Sequence, residues 1–299
     1  MTEIVGTAHQ VVSHSAHDGS KLHVHLWEKR RGDAAARNGA AILLVHGSRR
    51  SGHVAFDLPV PLAAGEFSYS FMDVLAGAGY DVFSLDLQCY GRSDHHPSGL
   101  AVTSEVAAAD IGAAVEYICR ELGVAAVLLI GWSWGATTTA LYAESNPARV
   151  RKLVLYGGRM VRLNVADGGP LAVSLDDQFC RNTREVSTLT LQPDLTEPKV
   201  LEAWLAEGES WDAESPNGVA ADFQTRMPLS DPAKLTMPTM VVYGAKDFQL
   251  RQMPAIAQYF AGLATDDRHL HLIPDAGHAV HLHRGRARFA DILLRFLGA

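Results

Sequence analysis

The sequence predicts an α/β protein: a mostly parallel, twisted sheet with helices on both faces and a mainly helical segment inserted between two strands. Three observations carry that prediction. Short continuous apolar runs at 40–45, 80–85, 124–130 and 150–156 suit strands buried on both faces, and stretches of helical character separate them. Strands alternating with helices imply right-handed crossovers and parallel pairing. The rhythm breaks over 161–232, which holds several prolines, acidic stretches and one amphipathic helix near 198–205, then resumes with strands at 239–243 and 269–273. An insertion is the economical reading. It divides the chain into core (1–160), insertion (161–232) and core again (233–299).

Residues 9–27 alternate apolar and polar positions around Asp18-Gly19, a dipeptide suited to the positive φ angles of a tight hairpin turn. Residues 30–39 are polar and rich in Ala and Gly, as a surface connection would be. The strand at 40–45 runs into His46-Gly47-Ser48-Arg49-Arg50. A helix over 69–78 is closed by Gly79, and the strand at 80–85 leads into a polar loop over 86–97. Thr103 can cap a helix reaching about residue 122, with Val106, Ile111, Val115, Ile118 and Leu122 as its apolar stripe. Gly123 stops it. The strand at 124–130 delivers Gly131-Trp132-Ser133-Trp134-Gly135, and a helix over 136–145 ends before Pro147. Beyond the insertion, helices are expected at 254–263 and 286–297.

The length of 299 residues suits one large α/β domain with an insertion. With 47% hydrophobic and 20% charged residues, and no apolar run long enough to span a bilayer, the chain reads as soluble and globular. A net charge of −7 argues against nucleic acid or an anionic membrane as partner. Cys89, Cys119 and Cys180 are widely spaced and odd in number, so no disulfide framework or metal site is expected. The start, Met1-Thr2-Glu3-Ile4, lacks the pattern of a secretory leader, which makes a cytoplasmic location the expectation.

The chemistry is concentrated at strand ends. A serine on a sharp strand-to-helix turn projects its hydroxyl into open space, and the helix N-terminus behind it offers free N–H groups. A serine hydroxyl is a weak nucleophile at neutral pH. It needs a base within hydrogen-bond reach and a third group to orient that base. Asp247 follows the strand at 239–243 and His278 follows the one at 269–273. The carboxyl ends of parallel strands line one crevice, so Ser133, Asp247 and His278 are expected to converge. Asp275 is the nearest rival to Asp247, and His281 and His283 are the nearest rivals to His278.

The set His46-Gly47, Asp86 with Gly91-Arg92-Ser93, Gly131-Trp132-Ser133-Trp134-Gly135, Gly244 with Asp247, and Gly277-His278 resembles the α/β-hydrolase fold family, in order and over nearly the whole chain. The resemblance implies Ser133 as nucleophile, His278 as general base, Asp247 as its orienting acid, and the backbone N–H groups of Ser48 and Trp134 as an oxyanion hole. It also implies that 161–232 is the cap over the site. The activity so implied is hydrolysis of a carboxylic ester, lactone or thioester of a small molecule through an acyl-enzyme, with no cofactor and no metal. An acyltransferase or cyclase would use the same groups. The Ser133-Trp134-Gly135 step is similar to proline iminopeptidases, which keeps amide cleavage open; a non-catalytic receptor is the remaining alternative.

Two departures bear on specificity. Ser48-Arg49-Arg50 is neither a glycine-rich run nor Gly-Pro-Gly, and Gln88-Cys89 stands where relatives commonly carry Arg and Gly. Arg49 and Arg50 are candidates for holding a substrate carboxylate, against the plainer reading of solvated loop charges. Trp132, Trp204 and Trp211, with Phe179 and Phe223, are candidates for the pocket wall, against a role in packing alone.

Overall fold

The computed structural model describes residues 3–161 and 176–298. The chain opens with a hairpin, β1 (Ile4–His14) and β2 (Lys21–Arg31), paired along its full length from Ile4↔Arg31 to His14↔Lys21. Asp18-Gly19 lies inside a six-residue connection closed by Ser15 N–H to Ser20 O (2.8 Å) and Gly19 N–H to Ser15 O (2.9 Å), a longer loop than the dipeptide alone implies. There follow β3 (Ala41–Val45), α1 (Gly52–Phe56), α2 (Phe71–Gly77), β4 (Asp81–Leu85), α3 (Ser104–Leu122), β5 (Val127–Trp132), α4 (Trp134–Ser145) and β6 (Val150–Tyr156). The inserted region contributes β7 (Phe179–Arg181), α5 (Arg184–Leu191), α6 (Pro198–Trp211), β8 (Glu214–Pro216) and α7 (Gly218–Thr225). The core then resumes with β9 (Thr239–Gly244), α8 (Met253–Ala261), β10 (Arg268–Ile273) and α9 (Arg286–Leu297).

Eight strands form one sheet in the order β1-β2-β4-β3-β5-β6-β9-β10. All neighbours from β4 to β10 are parallel; β2 runs antiparallel to both of its neighbours, β1 and β4, near one edge. Strands β3, β4, β5 and β9 are buried throughout, which is why they read as mainly apolar runs. One face packs against α3, α4 and α8 through Val115, Ile118, Ala140 and Ile256, and the other against α2 and α9 through Met72, Leu75, Phe289 and Leu293.

Three details differ from expectation. Strand β5 begins at Val127 because Val124 N–H closes the end of α3 on Cys119 O (3.2 Å), with Gly123 left-handed at φ 67°. Helix α1 has only five residues, too few for a readable period. Among its described residues the insertion carries three helices and a two-stranded ribbon, not a single helix. Its α6 continues to Trp211. Strands β6 and β9, on either side of the insertion, are sheet neighbours, so the inserted elements leave and re-enter at one edge of the crevice.

Among the described residues no helix is long and apolar enough to cross a membrane, and no group of His, Cys, Asp and Glu is arranged to hold a metal ion.

Candidate active site

The turn between β5 and α4 is built by close backbone approach. A Cβ on Gly131 would overlap the Gly135 carbonyl, and one on Gly135 would overlap the Val45 carbonyl on β3. Only glycine lets α4 begin this near the strands. Ser133 sits between them at φ 59°, ψ −116°, a conformation that costs an L-residue about 1–3 kcal/mol and persists where the surroundings enforce it. Its N–H donates to Tyr156 O on β6 (2.9 Å), and its side chain is half-buried. The loop after β3 comes alongside through Gly47, where a Cβ would stand 3.1 Å from Ser133 Cβ. Tyr90 holds that loop by donating its hydroxyl to Ser48 O (2.7 Å). The N–H groups of Ser48 and Trp134 have no acceptor among the described residues.

Ser133, His278 and Asp247 form one chain of contacts. His278 Nε2 lies 2.9 Å from Ser133 Oγ, and His278 Nδ1 lies 3.2 Å from each Asp247 carboxylate oxygen. A carboxylate only accepts, so the ring carries its proton on Nδ1 and presents Nε2 as acceptor to the serine hydroxyl. Asp247 Oδ1 also accepts from Gln249 N–H (2.9 Å), which fixes the carboxylate at the head of a short helical turn.

The rival side chains stand outside the relay. Asp275 is exposed in the turn after β10. His281 donates Nε2–H to Ala55 O (2.9 Å) and accepts from the Tyr156 hydroxyl at Nδ1 (3.1 Å); burial pulls its pKa down to about 3. His283 donates Nε2–H to Leu191 O (2.8 Å) and accepts Gly277 N–H at Nδ1 (2.9 Å); burial pulls its pKa down to about 4. Both imidazoles are neutral struts.

The loop bearing His278 is gripped from two sides. Trp132 donates its indole N–H to His278 O (2.9 Å), and His278 N–H donates to Gln192 Oε1 (2.7 Å). The Gln192 amide also donates to Lys246 O (3.0 Å), one residue before Asp247. Gln192 belongs to the insertion, at the left-handed end of α5 (φ 51°). Nothing in its local sequence marks it, because its partners lie in distant loops.

The other candidate residues are placed unevenly. A small cavity is lined by Ser48, Arg49, Cys180, Pro216, Val219 and Phe223, and none of Ser133, His278 and Asp247 lines it. Arg49 reaches it while donating to Asn182 Oδ1 (3.0 Å). Arg50 is a correction: it is buried, donates to Arg49 O (2.7 Å) and Ser187 Oγ, and lies 5.1 Å from the Trp204 ring centroid. Burial pulls its pKa down to about 10, against the favourable field of Asp212. Trp132 and Trp204 are corrected as well. Both are fully buried and pack edge-on at 6.1 Å, and the Trp204 indole donates to Ser187 O (3.3 Å). Trp211 is 37% exposed, with Arg92 over its ring at 4.5 Å, and does not line the cavity. Cys89 packs away from the site, and burial pushes its thiol up to about 11. Phe179 is half-buried on β7, outside the cavity, whereas Phe223 lines it.

A model of the alpha/beta hydrolase fold family matches residues 40–284. The chain belongs to that family. This alpha/beta hydrolase is 26% identical over 302 residues to a 2-hydroxy-6-oxononadienedioate/2-hydroxy-6-oxononatrienedioate hydrolase of Escherichia coli (strain K12 / DH10B), covering 93% of this chain and 92% of that one. Among solved structures it is similar to E-2-(acetamidomethylene)succinate hydrolase, with TM-score 0.69 at 17% identity over 99% of this chain and 100% of that one. A thermophilic esterase from Thermogutta terrifontis superposes with TM-score 0.65 at 19% identity over 97% and 98% of the two chains. At these identities the structural likeness speaks for the fold alone.

Proposed function

We propose that the protein is a serine hydrolase that cleaves a carboxylic ester, lactone or thioester of a small molecule through an acyl-enzyme. The observation that carries this reading is the unbroken relay from Ser133 Oγ through His278 to Asp247, with distances of 2.9 and 3.2 Å. His278 Nε2 takes the serine proton as Oγ attacks the carbonyl carbon. The resulting oxyanion is met by the N–H groups of Ser48 and Trp134, which have no competing acceptor among the described residues. Loss of one such donor typically costs about 10²–10³ in rate. His278 then protonates the leaving group. Water deprotonated by the same nitrogen attacks the acyl-enzyme and releases the acid, restoring Ser133. Asp247 holds the ring in the required tautomer and stabilises the imidazolium in each half-reaction. The inserted helices act as the cap over this crevice.

The test is turnover of 4-nitrophenyl esters together with fluorophosphonate labelling of Ser133. Label incorporation and turnover that both survive in Ser133→Ala would sink the assignment. A second reading, hydrolysis of a carbon–carbon bond next to a ketone, is favoured by the similarity to the Escherichia coli 2-hydroxy-6-oxononadienedioate hydrolase, whose named substrate carries a 6-oxo group. It uses the same relay and differs in the bond broken, so product analysis with a vinylogous 1,5-diketone alongside the esters separates the two.

A further inference from the structure

Three arginines are buried among the described residues, and the fold satisfies them unequally. Arg286 donates to Phe67 O (3.2 Å) and stands within ion-pair reach of Glu66 and Glu197. Arg50 donates to Arg49 O and Ser187 Oγ. Arg159 keeps 9% of its exposure yet makes no hydrogen bond and no ion pair with any described residue, and its Nε is sealed off without an acceptor. Its terminal nitrogens are not among the sealed atoms, so the fork of the guanidinium keeps some access to solvent.

The guanidinium lies within the field of Asp247, the acid of the relay. Arg159 lies three residues beyond β6, at the end of the sheet where Ser133, His278 and Asp247 meet. The two residues before it run along the site. A Cβ on Gly157 would stand 3.2 Å from the His278 ring, and one on Gly158 3.1 Å from Ala136 Cβ in the first turn of α4. The Arg159 side chain then passes under α7, with Cζ 5.7 Å from the centroid of Phe223. Phe223 is a wall of the cavity that Ser48 and Arg49 also line. Burial works against the Arg159 charge, and the fields of Asp247 and Tyr243 work for it. Asp247 itself is engaged by His278 and Gln249, not by Arg159.

A buried cation without an acceptor is costly, and such groups in folded proteins call for a partner that a ligand can supply. The guanidinium fork matches a planar carboxylate with two parallel N–H donors, and one positive charge answers one negative charge. We propose that Arg159 is the recognition site for a carboxylate carried by the substrate. This rests on the reading of Ser133 as nucleophile for its catalytic consequence, though not for the binding itself. The class of substrate that follows is an acyl compound bearing a free carboxylate within a few bonds of the scissile carbonyl.

Two arms test it. In the first, kcat/KM is compared for 4-nitrophenyl hydrogen glutarate and the neutral 4-nitrophenyl pentanoate, which have the same acyl length. The wild type prefers the hemiester, and Arg159→Gln lowers the ratio of the two values about tenfold or more, mainly through KM of the hemiester. Arg159→Lys retains part of the ratio, because it keeps the charge and loses the fork. In the second arm, glutarate is titrated calorimetrically into Ser133→Ala and into Ser133→Ala/Arg159→Gln, with circular dichroism confirming that both are folded. Binding to the first and not the second supports the site even if neither ester is turned over, in which case the hydrolase reading alone has failed. A hemiester-to-neutral ratio unchanged in Arg159→Gln, with equal losses on both esters and a shifted pH profile, would show Arg159 serving only as counter-charge to Asp247. That result overturns the proposal, as does equal glutarate binding by the two Ser133→Ala proteins.

Discussion

The elbow that carries Ser133 and the loops that carry His278 and Asp247 are built in opposite ways. The elbow is a product of the core alone: its glycines touch β3 and its own helix, and its serine N–H is held by β6. The histidine and aspartate loops are seated partly by the insertion. Gln192 spans His278 N–H and Lys246 O, and His283 ties Gly277 to Leu191 at the end of α5. A local, self-sufficient turn fixes the nucleophile, whereas the base depends on how a distant segment docks. Damage to the glycine frame of the elbow should therefore remove chemistry and stability together. Damage to the clamp should remove chemistry first.

The largest effect is expected at the nucleophile. Ser133→Ala should lower ester turnover by about 10⁴-fold or more, with the unfolding transition preserved, as measured by steady-state kinetics and urea titration. Next comes the frame of the elbow. Gly135→Ala drives a methyl into the Val45 carbonyl and should cost about 2–3 kcal/mol of unfolding free energy along with most activity. A variant as stable as the wild type would show that the turn relaxes without penalty. At the clamp, Gln192→Ala should lower kcat about tenfold while moving the urea midpoint little, since misplacement of the base rather than loss of core is at stake. Gln192→Glu keeps an acceptor for His278 N–H and loses the donor to Lys246 O, so it should fall between. An unchanged kcat in Gln192→Ala would remove the contrast drawn between the two halves of the site.

The smallest effect concerns pH. His283 has a folded pKa of about 4, below the ordinary value of 6.5, so the unfolded chain takes up its proton first. The His283 contribution is then fully present above about pH 6.5 and is lost progressively as pH falls toward about 4. His283→Gln should lose less stability than the wild type over that window, read as the difference between urea midpoints at pH 7 and pH 4.5. Parallel curves for the two proteins would mean that the imidazole is not a neutral strut.

Much of this was readable in one dimension. The apolar runs, the helix stops at Gly79 and Gly123, and the strand–turn–helix around Ser133 are local patterns set by burial on two faces and by backbone geometry. So was the placement of Asp247 and His278 after successive strands, because a parallel sheet delivers its carboxyl ends to one crevice. The partners of the long side chains were not. Arg50 read as a loop charge is a buried tie to Ser187, and Trp132, a neighbour of the nucleophile, holds the base loop from behind. Gln192 and Arg159 had no motif to announce them.

The reason is physical. Hydrophobic period, capping residues and glycine turns act over a few residues, so the sequence by itself determined the sheet, the elbow and the order of the three reacting groups. Which side chain fills a hydrogen bond or leaves a charge unanswered depends on residues brought together from dozens to more than a hundred positions apart. Only the tertiary structure could decide that Gln192 grips the base loop and that Arg159 is buried without a hydrogen-bond acceptor among the described residues.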